Sequence, residues 1–341
     1  MKREIMRKIW ILTMLPTLAI VFSQAAFAMA MDKMPDKKAI VLAGFGTTYP
    51  SALVSYTNIL KTVQEAFPGV AVRVAFTSNI IRDIWHKRQN DPHWLSEHKD
   101  IPKDFLYVKG PLATIADLQD EGFRTIIVQP CYVYAGEEYH DACDYIRSLS
   151  SITTVKKRYA PFVKLVIGRP VLGKPGPEYD YHKDMDIAAK ALSSDVKLAA
   201  QKGDALVYMG HGNEFYSSGI YAEFQQVLRK AYPGAQIYVG TVEGFPSLKD
   251  TVSAVTQAHI KKVMLKPLML VAGDHANNDM AGNADDSWKN TFKRAGVRSD
   301  CIIHGLGENL SWDQIYVQHI KDTAKDAGIN LLEPLPGREK K

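Results

Sequence analysis

The strongest constraint on this chain of 341 residues is that its two halves repeat each other. Ala39-Ile-Val-Leu-Ala-Gly-Phe-Gly answers to Ala205-Leu-Val-Tyr-Met-Gly-His-Gly. Pro68-Gly-Val-Ala-Val-Arg-Val-Ala-Phe-Thr-Ser answers to Pro233-Gly-Ala-Gln-Ile-Tyr-Val-Gly-Thr-Val-Glu, and Gln129-Pro-Cys-Tyr-Val-Tyr-Ala-Gly-Glu-Glu to Lys266-Pro-Leu-Met-Leu-Val-Ala-Gly-Asp-His. Self-similarity over this length means one supersecondary plan used twice.

That plan is α/β. Short runs rich in Val and Ile recur at 39–43, 70–76, 125–129, 163–168, 205–209, 236–240, 262–268 and 301–304. They lack strict alternation, as befits parallel strands covered on both faces. Between them Leu53, Tyr56, Leu60, Val63 and Phe67, and again Leu248, Val252, Val255 and His259, recur at helical spacing. The expectation is two similar doubly wound parallel-sheet domains with a cleft between them, 38–168 and 178–333, joined by a Pro/Gly-rich linker at 169–178. The last helix is free to pack back on the first domain. The first half alone carries an insertion, 80–109, with Trp85, His86, His93, Trp94 and His98. It reads as a partner surface, for a homo-oligomer or for haem through His93 or His98, or as amphipathic cover over the cleft.

At the N-terminus, Lys2, Arg3, Arg7 and Lys8 precede an apolar run at 9–22 that ends in Ala26-Phe-Ala. This is the pattern of a secretory signal peptide over 1–28, cleaved near Ala28, and it predicts a periplasmic protein. The run is shorter than the roughly 20 apolar residues of a spanning helix, and no later segment approaches that length, so no membrane span is expected. Removing the leader lowers the formal charge from +5 to about +2, which gives no reason to invoke nucleic acid. Cys131, Cys143 and Cys301 make an odd count and no disulfide framework.

Ligands of open parallel sheets gather beyond the carboxyl ends of the strands. In the second half the residues there are His211, Glu243 and His275, and the duplication aligns them with Phe45, Ser78 and Glu138. Two imidazoles and a carboxylate suit Co²⁺, Fe²⁺, Ni²⁺ or Zn²⁺ better than Mg²⁺ or Ca²⁺, and they leave coordination positions open. His304 reads as an outer partner or a buried histidine, His259 as structural, and His140 as a cleft residue beside Glu137 and Glu138. His182 and His319 show no cluster. The glycines of Gly44-Phe-Gly-Thr-Thr and Gly210-His-Gly-Asn form neither GxGxxG nor a P-loop, so no nucleotide is expected. They read as tight turns that let a large flat ligand approach the backbone, with Thr47 or Thr48 capping the next helix.

Met209-Gly-His-Gly-Asn, Gly240-Thr-Val-Glu-Gly-Phe-Pro and Met269-Leu-Val-Ala-Gly-Asp-His-Ala-Asn-Asn-Asp-Met resemble the anaerobic sirohydrochlorin cobaltochelatase family, a class II chelatase. The resemblance covers nearly the whole chain after the leader. It implies a bilobal fold, no ATP, insertion of Co²⁺ or Fe²⁺ into a sirohydrochlorin tetrapyrrole, and His211, Glu243 and His275 as catalytic and metal-site positions. Their division into ligands and proton acceptors stays open. Arg82, Lys87 and Arg88 are candidate partners for the carboxylate arms of the substrate. The competing reading is a periplasmic haem or metal carrier without turnover.

Overall fold

In the computed structural model, residues 37–332 are described, except 178 and 215–217. The signal-peptide reading and the extreme C-terminus therefore lie outside the described residues. The first half forms a four-stranded sheet in the order β2-β1-β3-β4, from β1 (Lys37–Gly44), β2 (Ala71–Phe76), β3 (Phe123–Pro130) and β4 (Lys164–Ile167). The second half repeats it as β6-β5-β7-β8, from β5 (Ala205–Gly212), β6 (Ile237–Glu243), β7 (Lys262–Leu268) and β8 (Arg298–Cys301). Every pairing is parallel. The central strands are buried along most of their length, which is why they read as continuous apolar runs.

Helices complete each unit: α1 (Leu53–Ala66), α2 (Asn79–Arg88), α3 (Pro92–Glu97), α4 (Lys103–Leu106), α5 (Pro111–Asp120) and α6 (Glu137–Ser150) in the first half. In the second half are α7 (Tyr181–Ala191), α8 (Ser193–Lys202), α9 (Gly219–Ala231), α10 (Leu248–Gln257), α11 (Trp288–Arg294) and α12 (Leu310–Asp326). Each sheet has its own outer core, around Ile115, Ile126 and Val128 in one half and Val207, Leu265 and Phe292 in the other. A third core is common to both halves. It gathers Tyr56 and Ile59 of α1, Met185 of α7, Phe224 of α9 and Trp312 and Tyr316 of α12. The final helix packs on α1 and β3, so the second half closes the inner face of the first.

Arg169 fastens this arrangement. Its guanidinium meets Asp184 of α7 through Nε at 2.7 Å and Nη2 at 3.0 Å, and Asp322 of α12 at 2.8 Å. The buried His319 lies against the same group, with Nδ1 donating to the Arg169 carbonyl at 3.1 Å and Nε2 3.3 Å from Asp184. The segment that starts as a linker in sequence is thus tied at its first residue, and His319 belongs to a cluster that sequence spacing hides.

Three other sequence expectations need correction. The last strand is Arg298–Cys301, not 301–304: its Arg-Ser-Asp-Cys segment pairs with β7 as an edge strand, where polar side chains reach solvent and no apolar run is needed. His259 is exposed, with φ 58°, just past α10, where Ile260 N–H reaches the Val255 carbonyl. It closes the helix in the left-handed position usually given to glycine instead of sitting on an apolar stripe. The insertion is not surface alone, because Trp85 is wholly buried and Trp94 meets it edge to face at 5.7 Å.

Candidate functional site

In each sheet the first and third strands lie side by side and their connections leave in opposite directions, which opens a crevice at their carboxyl ends. The two crevices share one cavity of about 330 Å³, lined by the segments after β1, β2, β3 and β7 and the end of β5. Phe45, Ser78 and Glu138 of the first half face His211 and His275 of the second across it.

The same support holds both inner strands. Gly44 and Gly210 leave no room for a Cβ, because the rings of Tyr56 and Tyr221 fill that space. Tyr56 Oη accepts from Gly46 N–H at 2.9 Å, and Tyr221 is hydrogen-bonded by the main chain of Gly212 and His211. These glycines therefore admit a buried tyrosine that props the strand end, not a ligand pressed on the backbone. Burial raises both phenols well above their ordinary range, so they stay neutral. Thr47 caps no helix; its Oγ1 accepts from Tyr49 N–H at 3.1 Å.

His211, near the end of β5, and His275, after β7, bring their rings to 4.8 Å between centroids at 81°. Nδ1 of His211 lies 3.2 Å from the Gly212 carbonyl oxygen, and Nδ1 of His275 lies 2.5 Å from Asp279 Oδ2. Both partners are acceptors, so Nδ1 must carry the proton in each neutral ring. The unprotonated nitrogen is then Nε2 on both, a lone pair available to a cation. Asp279 came with no signal except its i,i+4 spacing from His275, which places the two on one face of a helical turn.

Glu243 stands differently. It ends β6, one strand outward from the crevice, beside Gly212 in the β5–β6 register. It is absent from the cavity lining. Among the described residues no three of His, Cys, Asp and Glu stand close enough to hold a metal ion. The structure brings the two imidazoles together and leaves Glu243 at the rim. Its carboxylate still reaches the site electrostatically, since Tyr134 in the cavity wall has its phenol raised by burial and then by Glu138, Glu243 and Glu137. Tyr134 sits edge-on to Tyr221 at 5.2 Å, and among the described residues its buried hydroxyl has no hydrogen-bond partner. Sequence reading passed over it, because one more tyrosine in an apolar strand end carries no signal.

The remaining candidates lie outside the cavity lining. His93 is exposed on α3 and 3.6 Å from Glu97; the His98 ring stacks on Trp94 at 4.1 Å and its Nδ1 donates to the Trp94 carbonyl. His304 pairs with Glu308 at 2.5 Å, and His140 is exposed on α6. Arg82 donates to the carbonyls of Phe76 and Thr77, and Arg88 to that of Thr48 at 2.6 Å. Both guanidinium groups thus brace loops instead of waiting for substrate carboxylates; Lys87 is exposed.

A family model described as cobalt chelatase (CbiK) matches residues 38–325. The chain belongs to the cobalt chelatase family. The chelatase is 27% identical over 284 residues to the sirohydrochlorin cobaltochelatase CbiKC of Nitratidesulfovibrio vulgaris, covering 83% of this chain and 89% of that one. It is 28% identical over 288 residues to the sirohydrochlorin cobaltochelatase of Salmonella typhimurium, covering 83% and 95%. Among solved structures, its fold is similar to the sirohydrochlorin chelatase SirB of Bacillus subtilis subspecies spizizenii in complex with cobalt, with TM-score 0.52 and 14% identity over 86% of this chain and 97% of that one. SirB from Bacillus subtilis with Fe³⁺ gives TM-score 0.54 at the same identity and coverage. At 14% identity these structures speak for the α/β fold alone.

In the chelatase Gly212 has φ 82°, and a Cβ there would stand 1.6 Å from the Glu243 carbonyl oxygen. Gly212→Ala is expected to cost about 2–4 kcal/mol and to push β5 from β6, displacing His211. Chemical denaturation with an unchanged m-value would measure it; a variant as stable as the parent would contradict the close approach.

Proposed function

We propose that this chain inserts Co²⁺ into a sirohydrochlorin-type tetrapyrrole without a nucleotide, after export to the periplasm. The observation that carries the reading is the His211–His275 pair, whose rings both line the cavity, with each Nδ1 matched to an acceptor so that Nε2 is the nitrogen left to bind a cation. The names of the two cobaltochelatase relatives supply the substrate class.

The balance of the reaction is simple: one divalent cation enters, and two pyrrole N–H protons leave. His211 and His275 deliver the cation through Nε2 and give it up as the macrocycle nitrogens take over, and each ring released in turn can accept a proton at that nitrogen. Asp279 holds the His275 ring in place through Nδ1 while its other nitrogen works. Glu243 is the third metal-site residue of this proposal; from the end of β6, beside Gly212, its charge offsets that of the metal. Phe45, Val133 and Leu270 give the cleft apolar walls for a flat ring system, and a grip that bends the macrocycle turns its nitrogen lone pairs toward the cation. Fe²⁺ is the alternative cation, since an imidazole pair accepts both.

The test is spectroscopic. Metal-free sirohydrochlorin mixed with Co²⁺ and catalytic amounts of protein, with no ATP, is expected to convert to the cobalt form well above the spontaneous rate. Stoichiometric binding with no acceleration would support a carrier instead.

A further inference from the structure

Three side chains tie the two halves together at the mouth of the cleft. Tyr49 follows β1 in the first half, and its Oη donates to Asp274 Oδ1 in the second half at 3.0 Å. Asn278 Nδ2 donates to the same carboxylate oxygen at 2.8 Å and lies 3.3 Å from Tyr49 Oη. The loop that carries Tyr49 is held from behind by the insertion: Trp85 Nε1 donates to the Thr47 carbonyl at 2.8 Å and Arg88 to that of Thr48. Arg88 is itself clasped between the Trp85 and Trp94 rings, at 4.8 and 5.0 Å. The segment without a counterpart in the second half thus stiffens one side of a cross-cleft contact.

The other side is the turn that presents His275. Asp274 and Asn278 form one i,i+4 pair, and His275 and Asp279 form the next, so one turn faces the first half with one pair and the metal position with the other. The cavity of about 330 Å³, partly open to solvent, is at the lower end of the usual range for ligand sites, about 300–1,000 Å³. A tetrapyrrole with its carboxylate arms is a large ligand for such a cavity, and release of a contact between the halves would widen it. Tyr49 and Asp274 both line that cavity, and Asp274 is exposed, which suits a contact that breaks and reforms.

We propose that Tyr49, Asp274 and Asn278 are a latch, in which Tyr49 acts as a positioning residue that closes the cleft over the macrocycle and steadies the turn bearing His275. Only the identity of the macrocycle rests on the function proposed above; the latch itself is a property of the free protein.

Two arms test it. In hydrogen–deuterium exchange on the protein without ligands, Tyr49→Phe is expected to speed exchange about 3- to 10-fold in both 46–49 and 273–281, one segment from each half, and to leave β3 and β7 unchanged. In turnover with sirohydrochlorin and Co²⁺, Tyr49→Phe and Asp274→Ala are each expected to raise KM for the tetrapyrrole about 3- to 10-fold with kcat nearly constant. The double variant is expected to be no worse than either single one, and Asp274→Asn, which keeps an acceptor oxygen, to stay near the parent. Unchanged exchange in either segment, or effects that multiply in the double variant, would overturn the latch. A parent protein without cobalt insertion would sink the function and not the latch, which the exchange arm decides alone.

Discussion

His211→Ala and His275→Ala are each expected to lower kcat/KM for cobalt insertion at least about a hundredfold, a loss of about 2.7 kcal/mol in transition-state stabilisation. Each substitution removes one of the two imidazoles that line the cavity, and with it half of the pair. The fold should tolerate both changes, because each ring is half-buried, His211 at the end of β5 and His275 in the loop after β7, and neither belongs to the three cores. Melting temperatures close to the parent, measured beside steady-state kinetics, would separate lost chemistry from lost structure. Asp279→Ala should cost less, about 10-fold, since it frees the His275 ring to turn without removing it. Activity near the parent level in both histidine variants would remove the pair from the reaction.

The second large effect concerns stability. Asp313 of α12 is buried at 1% exposure, and among the described residues neither of its carboxylate oxygens has a hydrogen-bond partner. Burial pushes its pKa up to about 8. In the unfolded chain an aspartate titrates near 3.9, so between about pH 4 and pH 8 the folded state holds a proton that the unfolded state has lost. Stability must therefore fall as pH rises through that window, and the cost is complete above pH 8. Asp313→Asn, neutral at every pH, is expected to match the parent near pH 4.5 and to exceed it near pH 8.5 by as much as about 4 kcal/mol. Denaturation curves at the two pH values decide this. A difference that does not change with pH would mean that the Asp313 carboxyl is not held neutral.

The internal repeat made the two sheets legible, because buried parallel strands need apolar runs and a duplication shows them twice. Seven strands fall close to their apolar runs; β8 does not, since an edge strand can be polar. His211 and His275 were readable for a topological reason: they stand at or just beyond the ends of β5 and β7, the adjacent strands that flank the crevice. The same logic selected Glu243, but β6 lies one position outward, and register alone does not say how far a side chain reaches inward. What the sequence hid was contact between distant segments. Nothing in Tyr49 announces Asp274, 225 positions away, and nothing in Arg169 announces Asp322. Trp85 and Trp94 read as surface because a cluster of aromatics and histidines resembles an interface, whereas the structure spends Trp85 on the core and on the Thr47 carbonyl.

In the proposed reaction, cobalt on its way to the macrocycle is held between His211 and His275. X-ray absorption at the cobalt edge, on protein loaded with one equivalent of Co²⁺ and no tetrapyrrole, tests it most directly. Two imidazole nitrogens are expected at about 2.1 Å, close to the Zn–N distances of histidine sites, with the imidazole scattering lost in the His211→Ala/His275→Ala double variant. A shell of oxygen donors alone, unchanged between the parent and the double variant, would place the metal elsewhere and contradict it.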